Sequence, residues 1–211
     1  MQFPVTVARE ARIAECGFAS ETDVRALSRW VRQTHPGDAM PVLDTAEYAG
    51  LAADKWGFYR DAGRLANSLA ELRAAIKRDP MAEVAALLIV RAEWHRPAPQ
   101  LGFCLFRRSW SHNLLVDFLG IHPAHLRDEK SKIRGIATGL LYHVMALGEA
   151  LDAGSCWGEA TDQSAGFYRK QFRKREIQDQ FNVTAAEQWH FMEKTRADWT
   201  RTGLSLQLQL Q

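Results

Sequence analysis

The chain is short of cysteine, of net charge and of long apolar runs, and each shortage removes a class of protein. Cys16, Cys104 and Cys156 are odd in number and widely spaced, with no Cys-x-x-Cys pair. That argues against a disulfide framework or a cysteine zinc site, and fits reduced, buried thiols in a cytoplasmic protein that needs no metal. A formal net charge of +2 argues against a dedicated nucleic-acid binder. The longest apolar runs, such as 84–90, fall well short of the ~20 residues a spanning helix needs, so no membrane partner is expected. Residues 1–10 carry Arg9 and no long apolar core, so no secretory signal is expected either. Repeats and low-complexity tracts are lacking, apart from a Leu–Gln alternation over 204–211.

What is present is an ordinary globular composition, 46% hydrophobic and 25% charged over 211 residues. That is enough chain for one domain, 1–211, with a sizeable core. Residues 12–18 read as a strand. Ser20 then stands as a helix N-cap with Asp23 three residues on, followed by Val24, Leu27, Trp30 and Val31 at helical spacing. His35-Pro36-Gly37 stops that helix. Met40-Pro41 reads as extended, with a short helix over 45–55. Ala62, Leu65, Leu69, Leu72 and Ile76 predict the next helix, ended by Asp79-Pro80. Residues 84–94, 101–107 and 114–121 read as three antiparallel strands. Ile133, Ile136, Leu140, Val144, Leu147 and Leu151 form the longest helical stripe. A strand over 156–160, a helix over 164–174 and two strands near 177–183 and 188–194 complete the chain. A strand–helix–strand at its centre is a right-handed parallel crossover within a mixed sheet. The fold class is α/β (α+β), a three-layer α/β/α arrangement.

The stretch Lys132 to Leu141 carries the chemistry. A helix start has backbone N–H groups without partners and a partial positive charge, so it holds anions. Gly135 and Ala137 let a ligand approach the backbone, and Lys132 and Arg134 add full charge.

At these residues the chain resembles the GNAT superfamily of acyl-CoA-dependent N-acetyltransferases. The first piece is Leu119-x-Ile121-x-Pro123 followed by Lys132-x-x-Gly135-Ile136-Ala137, similar to the family's strand and pyrophosphate loop. The second is Glu159-Ala160-Thr161 through Phe167-Tyr168-Arg169-Lys170, similar to its next strand and helix. The resemblance implies a mostly antiparallel mixed sheet with a splayed central parallel pair. It implies that backbone of Leu119, Gly120 and Ile121 holds the pantetheine of acetyl-CoA. Amides of Ile133, Arg134, Gly135, Ile136, Ala137 and Thr138 would hold the pyrophosphate, with Lys132, Thr161 and Lys170 as further cofactor contacts. Tyr168 takes the position of the residue near the thioester sulfur, as cofactor contact and general acid. Asp117, expected on the same strand face as Leu119 and Ile121, and Glu159 on the next strand are the candidate bases.

The implied activity is transfer of an acyl group, most simply acetyl, from CoA to a primary amine by direct attack. Residues 19–80 would form an elaborated acceptor side, with Trp30, His35, Asp44, Glu47, Tyr48, Trp56 and Tyr59 as its pool of polar and aromatic groups. His122 reads as a solvent-side residue, His143 as structural, and Cys156 as a buried thiol rather than a nucleophile. The basic run Arg169, Lys170, Arg173, Lys174 and Arg175 reads as a solvated helix face. Other readings stay open: a catalytically weak acyl-CoA sensor or scaffold, acylation of a nucleic-acid-linked amine, and a homodimer.

Overall fold

The computed structural model describes residues 1–96, 99–127 and 133–203. Among these, β1 (Gln2–Val7), β2 (Glu10–Phe18), β3 (Val84–Arg91), β4 (Gln100–Arg108), β5 (Leu114–Ile121), β6 (Ile133–Arg134), β7 (Ser155–Glu159) and β8 (Gln180–Thr184) form one sheet. Its order is β6-β1-β2-β3-β4-β5-β7-β8. All pairings are antiparallel except β5 with β7. This is the mixed, mostly antiparallel sheet with one central parallel pair that the sequence predicts.

Helices cover both faces. α1 (Glu21–Leu27) and α2 (Met40–Asp61) lie on one, and α5 (Ile136–Ala150) with α7 (Ala185–Thr200) on the other. α3 (Leu69–Arg78), the four-residue α4 (Ala124–Arg127) and α6 (Asp162–Phe172) complete the set. Burial on both faces explains why β3 is apolar without alternation. Leu87 and Ile89 enter the α2-side core with Phe103 and Leu105, while Ala86, Leu88 and Val90 enter the α5-side core with Cys104 and Phe106.

The structure corrects the expected elements in several places. Met40 and Pro41 begin a 22-residue helix instead of an extended segment. Proline is at home in a first helical turn, where its missing N–H would have no partner anyway. The buried face of α2 is built from Val42, Ala46, Ala49, Ala53 and Trp56, a helical spacing written in small residues. Ala62 and Leu65 lie outside α3, which starts after the Ser68 N-cap. Residues 188–194 are helix, not strand. Thr184 and Glu187 make a reciprocal capping box, and Gln188, Phe191, Met192, Thr195 and Trp199 form the buried stripe of α7. β1 is a strand that sequence patterning missed. Phe3 on it stacks on Trp199 at 5.6 Å, tying the first strand to the last helix. The Leu–Gln alternation of 204–211 lies outside the described residues. No helix among the described residues is long and apolar enough to cross a membrane.

Candidate active site

The central feature is where the parallel pair parts. β5 and β7 are in register only at Leu114–Cys156, Leu115–Trp157 and Val116–Gly158. From Asp117 to Ile121 the β5 edge facing β7 has no strand partner among the described residues, although Phe118 to Ile121 stay paired with β4 on the other edge. A cavity of about 520 Å³ fills the gap. Its walls include β5 residues Val116 to Ile121, α2 residues Pro41, Asp44, Thr45 and Tyr48, Glu159 at the end of β7, and α6 residues Phe167 and Tyr168.

Register on the β4 side shifts between Leu105 and Phe106, so Asp117 is the extra residue of a bulge. The bulge reverses its expected direction. Leu119 and Ile121 pack with the α5-side core, whereas Asp117 turns towards α2 and meets Lys55 Nζ at 2.9 Å. Arg107 Nε approaches it from β4 at 3.2 Å. Arg107 also pairs with Glu83 at 2.6 Å, and Glu83 accepts from Tyr59 Oη at 2.6 Å. Asp117 therefore lies in a partly buried charge network, with one flank on the cavity. Its neighbour Gly120 sits where a Cβ would come within 2.6 Å of Thr45 Oγ1 and 2.5 Å of the Phe103 ring. Thr45 Oγ1 donates to Ile121 O at 2.9 Å, fixing α2 against the free edge of β5.

α5 begins at the cavity. Gly135 is its N-cap, in the left-handed region at φ 98, and no side chain caps the first turn. The amide of Gly139 is the first to bond back, to Gly135 O at 2.9 Å. Among the described residues the first-turn amides of Ile136, Ala137 and Thr138 therefore have no helical acceptor, an arrangement that suits an anion. Ala137 itself lines the cavity. Ile133 does not join the helical stripe. It pairs with Val7 in β6, and its side chain is buried. Arg134, beside it, is exposed. Lys132 lies outside the described residues.

Tyr168 packs face-on against Phe181 at 4.3 Å and is 4% exposed. Burial pushes its phenol well above the ordinary tyrosine value, and the neighbouring Cys104 and Cys156 thiols act in the same direction. Among the described residues its hydroxyl makes no hydrogen bond, and the ring borders the cavity. Glu159 also borders the cavity, is exposed, and makes no ion pair among the described residues. Thr161 lines the cavity while its hydroxyl caps α6, accepting from Ser164 N at 3.3 Å. Lys170 is exposed and does not line the cavity.

Of the acceptor-side pool, Asp44 and Tyr48 reach the cavity. Trp30 and Trp56 are in the α2-side core, Tyr59 is in the charge network, and Glu47 lines a separate groove beside α2. Sequence reasoning missed Thr45 and Phe118. Thr45 lies one residue from Asp44 and three from Tyr48, so extending α2 to Met40 puts Pro41, Asp44, Thr45 and Tyr48 on one face. His122 is not solvent-side. It is 5% exposed, with its ring edge-on to Trp30 at 4.7 Å. Cys156 is fully buried, which raises its thiol pKa to about 12 and makes it inert as a nucleophile. Lys174 is held by Glu187 at 3.0 Å and Arg169 by Ile177 O at 3.1 Å, so parts of the basic run serve α6 and its neighbours. Among the described residues no cluster of three or more His, Cys, Asp or Glu is placed to hold a metal.

No family profile and no curated protein sequence matches the chain. Solved structures do. A protein assigned to the GNAT acetyltransferase family from Desulfovibrio desulfuricans superposes with a TM-score of 0.50 at 10% identity, covering 82% of this chain and 99% of that one. The chain therefore has the GNAT fold. PaiA N-acetyltransferase from Thermoplasma acidophilum, solved with coenzyme A, matches with a TM-score of 0.46 at 11% identity over 81% of this chain and 98% of that one. A nourseothricin acetyltransferase matches with a TM-score of 0.34 at 18% identity over 41% of this chain, which spans about half of that protein, 48% of its length.

Proposed function

We propose that this chain is an N-acyltransferase that moves an acetyl group from acetyl-CoA to a primary amine by direct attack. The observation that carries the reading is the cavity where β5 and β7 part, with the uncapped start of α5 at its edge. On a GNAT fold, that pairing of an unsatisfied strand edge with an anion-binding helix start suits a long thioester with a pyrophosphate. First-turn amides of α5 hold the pyrophosphate, with Arg134 nearby, and the free edge of Asp117 to Ile121 binds the pantetheine amides as an added strand would. Residues 19–80 supply the acceptor side through α2. Three buried thiols suit a reducing, cytoplasmic compartment.

The amine nitrogen attacks the thioester carbonyl, a C–N bond forms, the C–S bond breaks, and a proton passes from the nitrogen to solvent while the thiolate leaves. Glu159 is the better base of the two carboxylates. It makes no ion pair among the described residues and is exposed to water, whereas Asp117 is committed to Lys55 and Arg107. An amine resembling lysine has a pKa of about 10.4, so at neutral pH it arrives charged, and a carboxylate both attracts it and relays its proton. Tyr168 stays protonated at neutral pH because burial raises its pKa. It therefore offers a permanent O–H donor to the departing sulfur.

Calorimetry with CoA and thiol release with an amine panel test this reading. The expected result is saturable CoA binding, turnover on at least one amine, and a fall in kcat of about 10² or more for Tyr168→Phe with CoA affinity retained. Failure to bind CoA sinks the proposal. Tight binding with no turnover on any amine, and no effect of Tyr168→Phe, points instead to an acyl-CoA sensor.

A further inference from the structure

We infer that the acceptor is a small organic dication, an amine carrying a second ammonium group, and that Asp44 reads that second charge. The inference rests on the acyl-transfer reading and extends it to the substrate class. Among the described residues three carboxylates line the cavity, Asp44, Asp117 and Glu159, and none of the lining residues is Lys, Arg or His. Asp117 is neutralised by Lys55 and Arg107. Asp44 and Glu159 have no cationic partner among the described residues. They stand on different walls, Asp44 on α2 and Glu159 at the end of β7. One carboxylate suffices to receive the reacting ammonium, so the other is left over.

An unpaired, half-buried carboxylate facing a low-dielectric cavity is unfavourable until a cation joins it, and its field draws cations in. The negative field is visible on Tyr48, one turn along α2 from Asp44. Burial raises its phenol pKa, and the charges of Asp44, Glu47 and Glu159 raise it further. Between the charged walls the lining is apolar. The Tyr48 ring stacks on Phe118 at 5.7 Å, with Val116, Leu119 and Phe167 alongside. A short alkyl chain fits that floor. The Tyr168 side chain, 4% exposed, borders the same cavity, and its hydroxyl makes no hydrogen bond among the described residues, which leaves a polar group there for a ligand to meet. The roughly 520 Å³ must hold both the thioester arm and the acceptor, so the acceptor is small. The same field repels amines that carry a carboxylate or phosphate.

The test uses the full chain, acetyl-CoA and three acceptors that share one reactive amine: butane-1,4-diamine, butan-1-amine and 4-aminobutanoate. Expected kcat/KM falls in that order, with at least about tenfold between the diamine and the monoamine, equivalent to ~1.4 kcal/mol. The spread collapses in Asp44→Asn and inverts in Asp44→Lys. Calorimetric binding of butane-1,4-diamine to the CoA-loaded protein, weakened in Asp44→Asn, is the readout that does not depend on turnover. CoA affinity and thermal melting of both variants, unchanged, show that they are folded. Equal use of the three acceptors, or an order that survives Asp44→Asn, overturns the inference while leaving acyl transfer intact. CoA binding with neither diamine binding nor diamine turnover also overturns it. No CoA binding at all removes the acyl-transfer reading and the inference with it.

Discussion

Two buried histidines give this protein a predictable weakness towards mild acid. His122 follows β5, 5% exposed, and its Nδ1 accepts from the amide of Ala124 at 3.2 Å. Burial lowers its pKa to about 4, and the positive fields of His125, His95 and Arg127 push the same way. His143 lies inside α5, 2% exposed, with Nδ1 unbonded among the described residues. Burial takes its pKa to about 3, and the N-terminal ammonium adds to the fall. Both folded values lie below the ordinary 6.5, so the unfolded chain binds more protons and stability increases with pH across this window. The full contribution is present above about pH 6.5 and drains away as the pH falls towards 4. At pH 5 each histidine costs about 2 kcal/mol relative to neutral pH, roughly 4 kcal/mol together. That is a large share of the ~5–15 kcal/mol typical of a folded protein. Urea unfolding at a series of pH values measures it directly, in the parent and in His143→Leu and His122→Asn. Each variant should lose about half of the slope between pH 7 and pH 5. A parent whose unfolding free energy is flat across that interval, or imidazole proton shifts that titrate near 6.5 in the folded protein, would refute the reasoning.

Two further substitutions probe the cavity. Gly135→Ala forces a Cβ into the left-handed region at φ 98, costing about 1–2 kcal/mol; with the α5 cradle disturbed, CoA affinity measured by calorimetry should fall, and an unchanged affinity would mean that the anion sits elsewhere. Gly120→Ala brings a Cβ to 2.5 Å from the Phe103 ring and 2.6 Å from Thr45 Oγ1, so overpacking of about 1–3 kcal/mol should lower the melting temperature. An unperturbed melting curve there would show that β5 has room to move away from α2.

The three central antiparallel strands and the helix α5 could be read from the sequence because their signals are local. β3, β4 and β5 announce themselves as apolar runs bounded by turns, and α5 as a stripe at helical spacing. The misses are equally physical. α2 packs through alanines, and small residues give little contrast between a buried and an exposed face. Residues 188–194 mix aromatic and polar groups in a way that suits either period, and the Thr184–Glu187 capping box immediately before them resolves it. β1 needs Phe3 to find Trp199, nearly the whole chain away, a contact that no local pattern carries.

The candidate site shows a sharper division. Leu119 to Ile121, Glu159 and Tyr168 could be named from motif spacing because each is anchored to a strand or helix whose position the motif fixes. The direction of Asp117 could not. A single extra residue in β5, opposite the step from Leu105 to Phe106, turns its carboxylate from the expected face towards Lys55. Strand alternation assumes an unbroken ladder, and a bulge cancels it from that point backwards. That one residue changes the chemistry assigned to the cavity. With Asp117 paired to Lys55 and Arg107, the proposed reaction turns to Glu159 for its base. Asp44, which sequence alone placed in a pool of seven, becomes the surplus charge that a substrate must answer.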